Sequence, residues 1–163
     1  MKALFIGRFQ PFHNGHLQLI AELTKSYEHI IIGVGSSQYS HTAENPFTYE
    51  ERSEMITQAL AEENINNFSI IAIPDLHDPP HWVNHVTNLT PIFDIVITNN
   101  DFTTQLFKEK GYLIKHTPIY NRQEFSGREI RRRIREYEPW KELVPPVVYR
   151  YIIQIHGDQR VNK

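Results

Sequence analysis

Residues able to handle phosphate cluster at two places in this 163-residue chain, one near each end. The first is Gly7-Arg8-Phe9-Gln10-Pro11-Phe12-His13-Asn14-Gly15-His16, which follows the apolar run Ala3-Leu4-Phe5-Ile6. His13 and His16 stand three apart at a predicted helix entrance, a spacing that lets both rings point to one side. Imidazoles there can donate hydrogen bonds to phosphate oxygens and carry positive charge as negative charge builds up. Gly15 between them permits close backbone approach. A strand, a tight turn and a helix N-terminus are also how α/β proteins hold phosphate. An isolated His-x-Gly-His fits a surface helix that merely starts with two histidines equally well; the preceding strand and Arg8 favour the anion site.

The second cluster is Ser126-Gly127-Arg128-Glu129-Ile130-Arg131-Arg132-Arg133-Ile134-Arg135, with five arginines in its last eight positions. On a helix, Arg128, Arg131, Arg132 and Arg135 follow i, i+3, i+4, i+7 and share a face, leaving Ile130, Ile134 and Tyr137 to pack into the core. Ser126 and Gly127 open that helix, where free N–H groups and the dipole favour an anion. Arg131, one turn in, can add a guanidinium fork to the same phosphate. Taken alone, the run also fits a solvated basic face or a nucleic-acid patch.

Short apolar strands must alternate with amphipathic helices to bring two such distant segments together. The pattern predicts strands near Lys2–Ile6, His29–Val34, Phe68–Ile73, Phe93–Ile97 and Tyr112–Lys115. Their continuous Ile, Val, Leu and Phe content predicts cover on both faces, as in a parallel sheet. Helices are predicted over His16–Lys25, Thr48–Asn64, His81–Leu89, Asp101–Lys110, Gly127–Tyr137 and Pro146–Ile155. Thr48 with Glu51, and Ser126 with Glu129, read as capping boxes. The alternation predicts one doubly wound α/β domain over residues 1–163, a largely parallel sheet of five to six strands with helices on both faces. The loops Ser36–Phe47 and Pro74–Pro80 then fall at the strand C-terminal edge, where such folds bind ligands. The polar tail from about Gly157 is expected to fray.

Composition excludes several classes. A net charge of −2 gives no global field to draw in nucleic acid or an anionic membrane. With no cysteines there is no disulfide framework or thiolate zinc site, which suits a reducing cytosol. No signal peptide is expected at the N-terminus, and no apolar run approaches the roughly 18–20 residues of a membrane span. His77, His81 and His85 have helical spacing, but Pro79 and Pro80 break that helix, so no metal site is expected there.

The stretch Gly7–His16 resembles the first signature of the HxGH nucleotidylyltransferases. Within that superfamily it is most similar to the archaeal-type nicotinamide-nucleotide adenylyltransferase family. Ser126 and Arg131 match the second signature. Ser36-x-Gln38-x-Ser40-His41, Asn45-Pro46-Phe47-Thr48 and Trp82-Val83 match the nicotinamide branch, and the likeness runs from Leu4 to about Gly157. Departures are Arg128 in place of a usual threonine, Glu44 where some members carry arginine, and Thr98-Asn99-Asn100-Asp101 in place of Ser-Gly-Asn-Pro.

The resemblance implies a Rossmann-like domain that transfers AMP from ATP to nicotinamide mononucleotide (NMN), giving NAD+ and pyrophosphate. It implies that His13, His16 and Arg8 act on the ATP phosphates, with Gly7, Phe9 and Gly15 in the same turn. It implies that Ser126, Gly127 and Arg131 hold the β- and γ-phosphates. For NMN it implies Ser37, Gln38, Trp82 (stacked on the nicotinamide), Asn84, Asn121 and Arg122. It further implies Mg2+ carried by ATP rather than by a protein-built metal site, a homo-oligomer such as a hexamer, a cytoplasmic location, and no nucleic-acid or membrane partner. Other acceptors (nicotinate mononucleotide, phosphopantetheine or a flavin) stay open, as does a non-catalytic nucleotide- or RNA-binding module.

Overall fold

The computed structural model describes residues 1–117 and 125–162. Strands β1 (Lys2–Gly7), β2 (His29–Gly35), β3 (Phe68–Ile73), β4 (Ile95–Ile97) and β5 (Leu113–Lys115) are interleaved with helices α1 (Asn14–Ser26), α2 (Tyr49–Glu62), α3 (Trp82–Leu89) and α4 (Asp101–Glu109). Helices α5 (Gly127–Arg135) and α6 (Pro146–Gln154) follow. All strand pairs are parallel, in the order β3-β2-β1-β4-β5, which is the expected Rossmann-like doubly wound sheet.

Alternate strand residues feed two cores, because successive side chains leave a strand on opposite faces. Ala3, Ile30, Ile32, Ile95 and Ile97 pack with residues of α1, α2, α5 and α6. Leu4, Ile31 and Val96 pack with Val83 and Val86 of α3 and Phe107 of α4. Ile30, Ile31 and Ile32 are each wholly buried, contributing about 1.5–3 kcal/mol apiece. Cover on both faces is confined to the central strands. Edge strand β3 is half-buried along most of its length, and Leu113 of edge strand β5 is 57% exposed.

Local signals fix the helix ends. Thr48 Oγ1 accepts from the Glu51 N–H at 3.0 Å, and Glu51 Oε1 accepts from the Thr48 N–H at 2.9 Å, a complete capping box. At α5 only half of the expected box forms. Ser126 Oγ accepts from the Glu129 N–H, while the Glu129 carboxylate is taken by Arg132 and Arg133. Tyr137 does not reach the core: it lies beyond the helix end with φ of 57° and is 90% exposed.

The C-terminal segment is anchored rather than frayed. Gly157–Asn162 forms a run of 3-10 helix with Val161 fully buried. Arg160 clasps both oxygens of Glu51, one at 2.9 Å, and donates to Pro46 O. A Cβ at Gly157 would fall 2.5 Å from the Phe47 ring, so glycine is required where this tail crosses the 36–47 loop.

In this strand order the chain runs from β1 outward to β3, then returns through α3 to β4 on the far side of β1. The connections therefore diverge between the C-terminal ends of β1 and β4, which opens the crevice where such sheets bind ligands.

Candidate active site

Two adjoining cavities occupy that crevice. The larger, about 410 Å³, is lined by His13, Gly15 and His16 from the first cluster and by Phe125, Ser126 and Gly127 from the second. The smaller, about 240 Å³, is lined by Gly7, Arg8, Gly35, Ser36, Asp75 and Trp82. Ile6, Thr98 and Asn100 line both, so the cavities meet above β1 and β4.

His13 is the N-cap of α1 and forms an unusual capping box with His16. His13 Nδ1 accepts from the His16 N–H at 3.3 Å, and His16 Nδ1 accepts from the His13 N–H at 3.2 Å. Both Nδ1 atoms are acceptors, so in the neutral rings the proton sits on Nε2. The rings stack with centroids 3.5 Å apart, and His16 also meets Phe9 at 4.7 Å and Phe12 at 5.5 Å. Burial within this cluster removes water from the rings and so disfavours the imidazolium. Burial pushes the His13 pKa down to about 3, and burial, with His13 adding, holds His16 well below the ordinary value. The pair thus offers neutral Nε2–H donors in the free protein.

Glycine identity in the two signatures follows from these contacts. A Cβ at Gly15 would lie 2.9 Å from Phe125 Cβ and 3.0 Å from the His13 ring. A Cβ at Gly127 would lie 2.7 Å from Arg131 Nη1 and 3.0 Å from Gln10 O. The close approach that Gly15 permits is therefore to Phe125 and the His13 ring. Phe9, at φ of 53°, is buried beneath Gly7 against His16 and supports the turn from behind.

The arginine run does not form one shared basic face. Arg131 turns inward, is 4% exposed, and donates from Nη1 to Gln10 O at 2.7 Å. Arg132 binds Glu129 and Glu138, and Arg133 binds Glu129. Arg128 and Arg135 are exposed. Arg131 Nη2 lies 3.5 Å from Glu44 Oε2, a carboxylate that is otherwise open to solvent. Burial first, then the Arg8 charge, lowers the Arg131 pKa from its ordinary value, and Glu44 offsets part of this. Arg8, which lines the smaller cavity, donates to Asn45 Oδ1 at 3.4 Å.

Gln10 joins the two signatures. Its side chain exchanges hydrogen bonds with the Phe47 backbone at 3.0 and 2.9 Å, while its carbonyl receives Arg131. Asn100 caps α4 by accepting from the Thr103 N–H at 2.9 Å and faces both cavities. Asn99 ties the ends of β4 and β5, pairing in both directions with Thr117.

Among the residues expected to hold the acceptor, Trp82 lines the smaller cavity. Ser37 and Gln38 do not line it; Gln38 instead exchanges hydrogen bonds with the Asp75 backbone at 3.2 and 3.0 Å. Asn84 is exposed on α3 and lines neither cavity. Asn121 and Arg122 lie outside the described residues. Ser36 and Asp75 do line the smaller cavity, and Ser36 Oγ donates to Asp75 Oδ2 at 2.9 Å. The sequence places both in loops at the ligand-binding edge, and Ser36 in the matched motif, but assigns neither to the acceptor; Asp75 follows Pro74 directly at the exit of β3.

Comparison with known proteins gives the family. The cytidylyltransferase-like family model matches residues 4–133. A nicotinamide-nucleotide adenylyltransferase of Picrophilus torridus is 45% identical over 162 residues, 99% of this chain and 96% of that protein. One from Methanococcus aeolicus is 47% identical over 163 residues, covering 100% and 94%. Among solved structures, a bifunctional NMN adenylyltransferase/ADP ribose pyrophosphatase from Francisella tularensis, complexed with AMP and a manganese ion, superposes with a TM-score of 0.79 at 22% identity. That match covers 99% of this chain but only 52% of the bifunctional protein, so the chain spans about half its length and the likeness concerns the fold. The chain belongs to the cytidylyltransferase-like family and, within it, to the nicotinamide-nucleotide adenylyltransferases.

Proposed function

We propose that this protein transfers AMP from ATP to NMN, forming NAD+ and releasing pyrophosphate. One observation carries the reading: two helix N-termini, with His13, His16, Ser126 and Gly127, converge on a single cavity that opens into a second holding Arg8 and Trp82. ATP lies in the larger cavity and NMN in the smaller, with the α-phosphorus near their junction at Thr98 and Asn100. The indole of Trp82 offers a π-face to the cationic pyridinium ring.

An NMN phosphate oxygen attacks the α-phosphorus. The bond to the α–β bridging oxygen breaks, and pyrophosphate leaves with that electron pair. The attacking phosphate is already an anion at neutral pH, so no protein base has to be generated. Catalysis is then positioning and charge neutralisation. The Nε2–H groups of His13 and His16 donate to the phosphate oxygens where charge builds up, and Arg8 contacts phosphate where the two substrates meet. Ser126, Gly127 and Arg131 hold the β- and γ-phosphates. Mg2+ enters as part of MgATP, because His13, His16, Ser126 and Gly127 around the larger cavity offer N–H and O–H donors that suit phosphate rather than metal.

Incubation with MgATP and NMN, followed by chromatographic detection of NAD+ and pyrophosphate, tests the proposal. Nicotinate mononucleotide, phosphopantetheine and flavin mononucleotide serve as competing acceptors. NMN is expected to be used efficiently; exclusive use of another acceptor, or no AMP transfer at all, overturns the reading. The same preparation is expected to behave as a homo-oligomer in light scattering and to lose activity in excess EDTA.

A further inference from the structure

Arg52 is a wholly buried arginine on the apolar face of α2, in helical phase with Met55, Ile56 and Ala59. A buried guanidinium ordinarily requires a carboxylate or a full set of acceptors. Here the acceptors are all backbone carbonyls. Nε donates to Thr48 O at 3.1 Å, and Nη1 donates to Gly35 O at 2.8 Å and Arg8 O at 3.0 Å. Nη2 reaches Ser36 O at 3.3 Å and Tyr39 O at 3.5 Å. No ion pair to Arg52 is formed among the described residues, and burial together with the Arg8 charge lowers its pKa to about 10, leaving it cationic at neutral pH.

The location of those carbonyls gives the contact its meaning. At the C-terminal edge of a parallel sheet the strands end in carbonyl groups, whose negative ends oppose a phosphate placed there. Arg8, Gly35 and Ser36 form one wall of the smaller cavity. Arg52 takes all three of their oxygens. It also anchors Ser36, whose φ of 49° is a left-handed conformation that a non-glycine residue holds only when surrounding contacts enforce it. Ser36 in turn holds the Asp75 carboxylate.

We infer that Arg52 is a positioning residue for the acceptor phosphate: it withdraws the carbonyl oxygens of Arg8, Gly35 and Ser36 from the smaller cavity and leaves a positive charge beneath it. This rests on the reading of that cavity as the NMN site. The contacts are made through main chain from the core, so Arg52 acts on the substrate through the wall it shapes.

The test is steady-state kinetics on Arg52→Lys, which keeps the charge but cannot span five separate carbonyls. Met55→Ala on the same helix face controls for simple loss of packing. The lysine variant is expected to raise KM for NMN about tenfold or more, the range for one misplaced charge-assisted contact, while KM for ATP and kcat move far less. Met55→Ala is expected to leave both KM values in place. An unmoved NMN KM, equal rises in both KM values, or matching behaviour of the two variants overturns the inference.

A measurement on the wild type stands apart from folding of any variant. The Arg52 Nε–H, buried and hydrogen-bonded, gives a slowly exchanging 15N resonance that is expected to shift on saturation with NMN. A resonance that NMN leaves in place overturns the inference. A wild type that binds NMN and shifts this resonance but makes no NAD+ counts against the proposed reaction and leaves Arg52's role standing.

Discussion

The two segments that meet at the larger cavity are built to face negative charge by opposite means. The histidine wall withholds charge. His13 and His16 are stacked on each other and enclosed by Phe9 and Phe12, so each presents a neutral N–H in the free protein. The arginine wall, where Ser126 and Gly127 line the cavity and Arg131 packs behind Gly127 without lining it, keeps its charge permanently. Arg131 is a buried cation held by one carbonyl and faced by the exposed Glu44. The difference suits the triphosphate proposed for this cavity. Oriented dipoles stand where charge appears only during reaction, and a fixed cation stands where the leaving group is always anionic.

Replacing one member of each wall should separate these roles, and the largest effect belongs to the histidines. His16→Ala is expected to lower kcat by roughly 10²–10³-fold, the usual loss for one preorganised donor to a developing charge, with a smaller change in KM for ATP. Arg131→Met is expected to raise KM for ATP about tenfold or more, as removal of a charged hydrogen-bonding partner does, with a smaller change in kcat. Steady-state kinetics with saturating NMN reads both. If the two variants show the same KM-to-kcat pattern, the division of labour between the walls is wrong.

Much of the histidine wall was legible in the sequence, because it is local. Strand, turn, cap and both rings lie within sixteen residues, and the Ala3–Ile6 run announces the strand. The arginine wall was only half legible. Helical spacing placed Arg131 and Arg132 on one face, but it could not tell which arginine a distant carbonyl would draw inward. Gln10 O decides that, 121 residues away. The Glu129 carboxylate went to Arg132 and Arg133 instead of completing the cap, a competition that spacing leaves undecided. Arg52 was missed although a signal existed: an arginine in phase with Met55, Ile56 and Ala59 stands in the core stripe of its helix. The anchored tail was missed because the partners of Arg160 and Gly157 lie more than a hundred residues earlier in the chain.

Acid should weaken one wall and spare the other. The folded-state pKa of His13 is about 3 and that of His16 is also depressed, whereas unfolded histidine titrates near 6.5. Between these values the unfolded chain binds more protons than the native one, so native stability falls as pH drops. The contribution of His13 is fully present above about pH 6.5 and is lost progressively toward pH 3, at about 1.4 kcal/mol per pH unit. Arg131 and Arg52 stay charged throughout this window and add no slope. Urea midpoints at pH 7, 6 and 5 are expected to decline in the wild type. His13→Asn, which keeps a capping acceptor, is expected to flatten the decline. Equal slopes in the two proteins would mean that the imidazoles are already protonated in the native state.

Glu44 offers the finest probe of the contrast, because among the described residues only the arginine wall carries a competing anion. Its carboxylate approaches Arg131 Nη2 at 3.5 Å from an exposed position, so solvent screens it strongly. A phosphate group entering there must displace that contact. Glu44→Gln removes the competing charge and keeps the size, so KM for ATP should fall by about two- to fivefold, the scale of an exposed ion pair. Salt distinguishes this from a geometric effect. Raising ionic strength screens Glu44 in the wild type and should narrow the gap between the two proteins. A rise in KM for ATP in Glu44→Gln would mean that the carboxylate orients Arg131 for the triphosphate rather than competing with it, and the cation of this wall would then need a fixed partner as the histidines do.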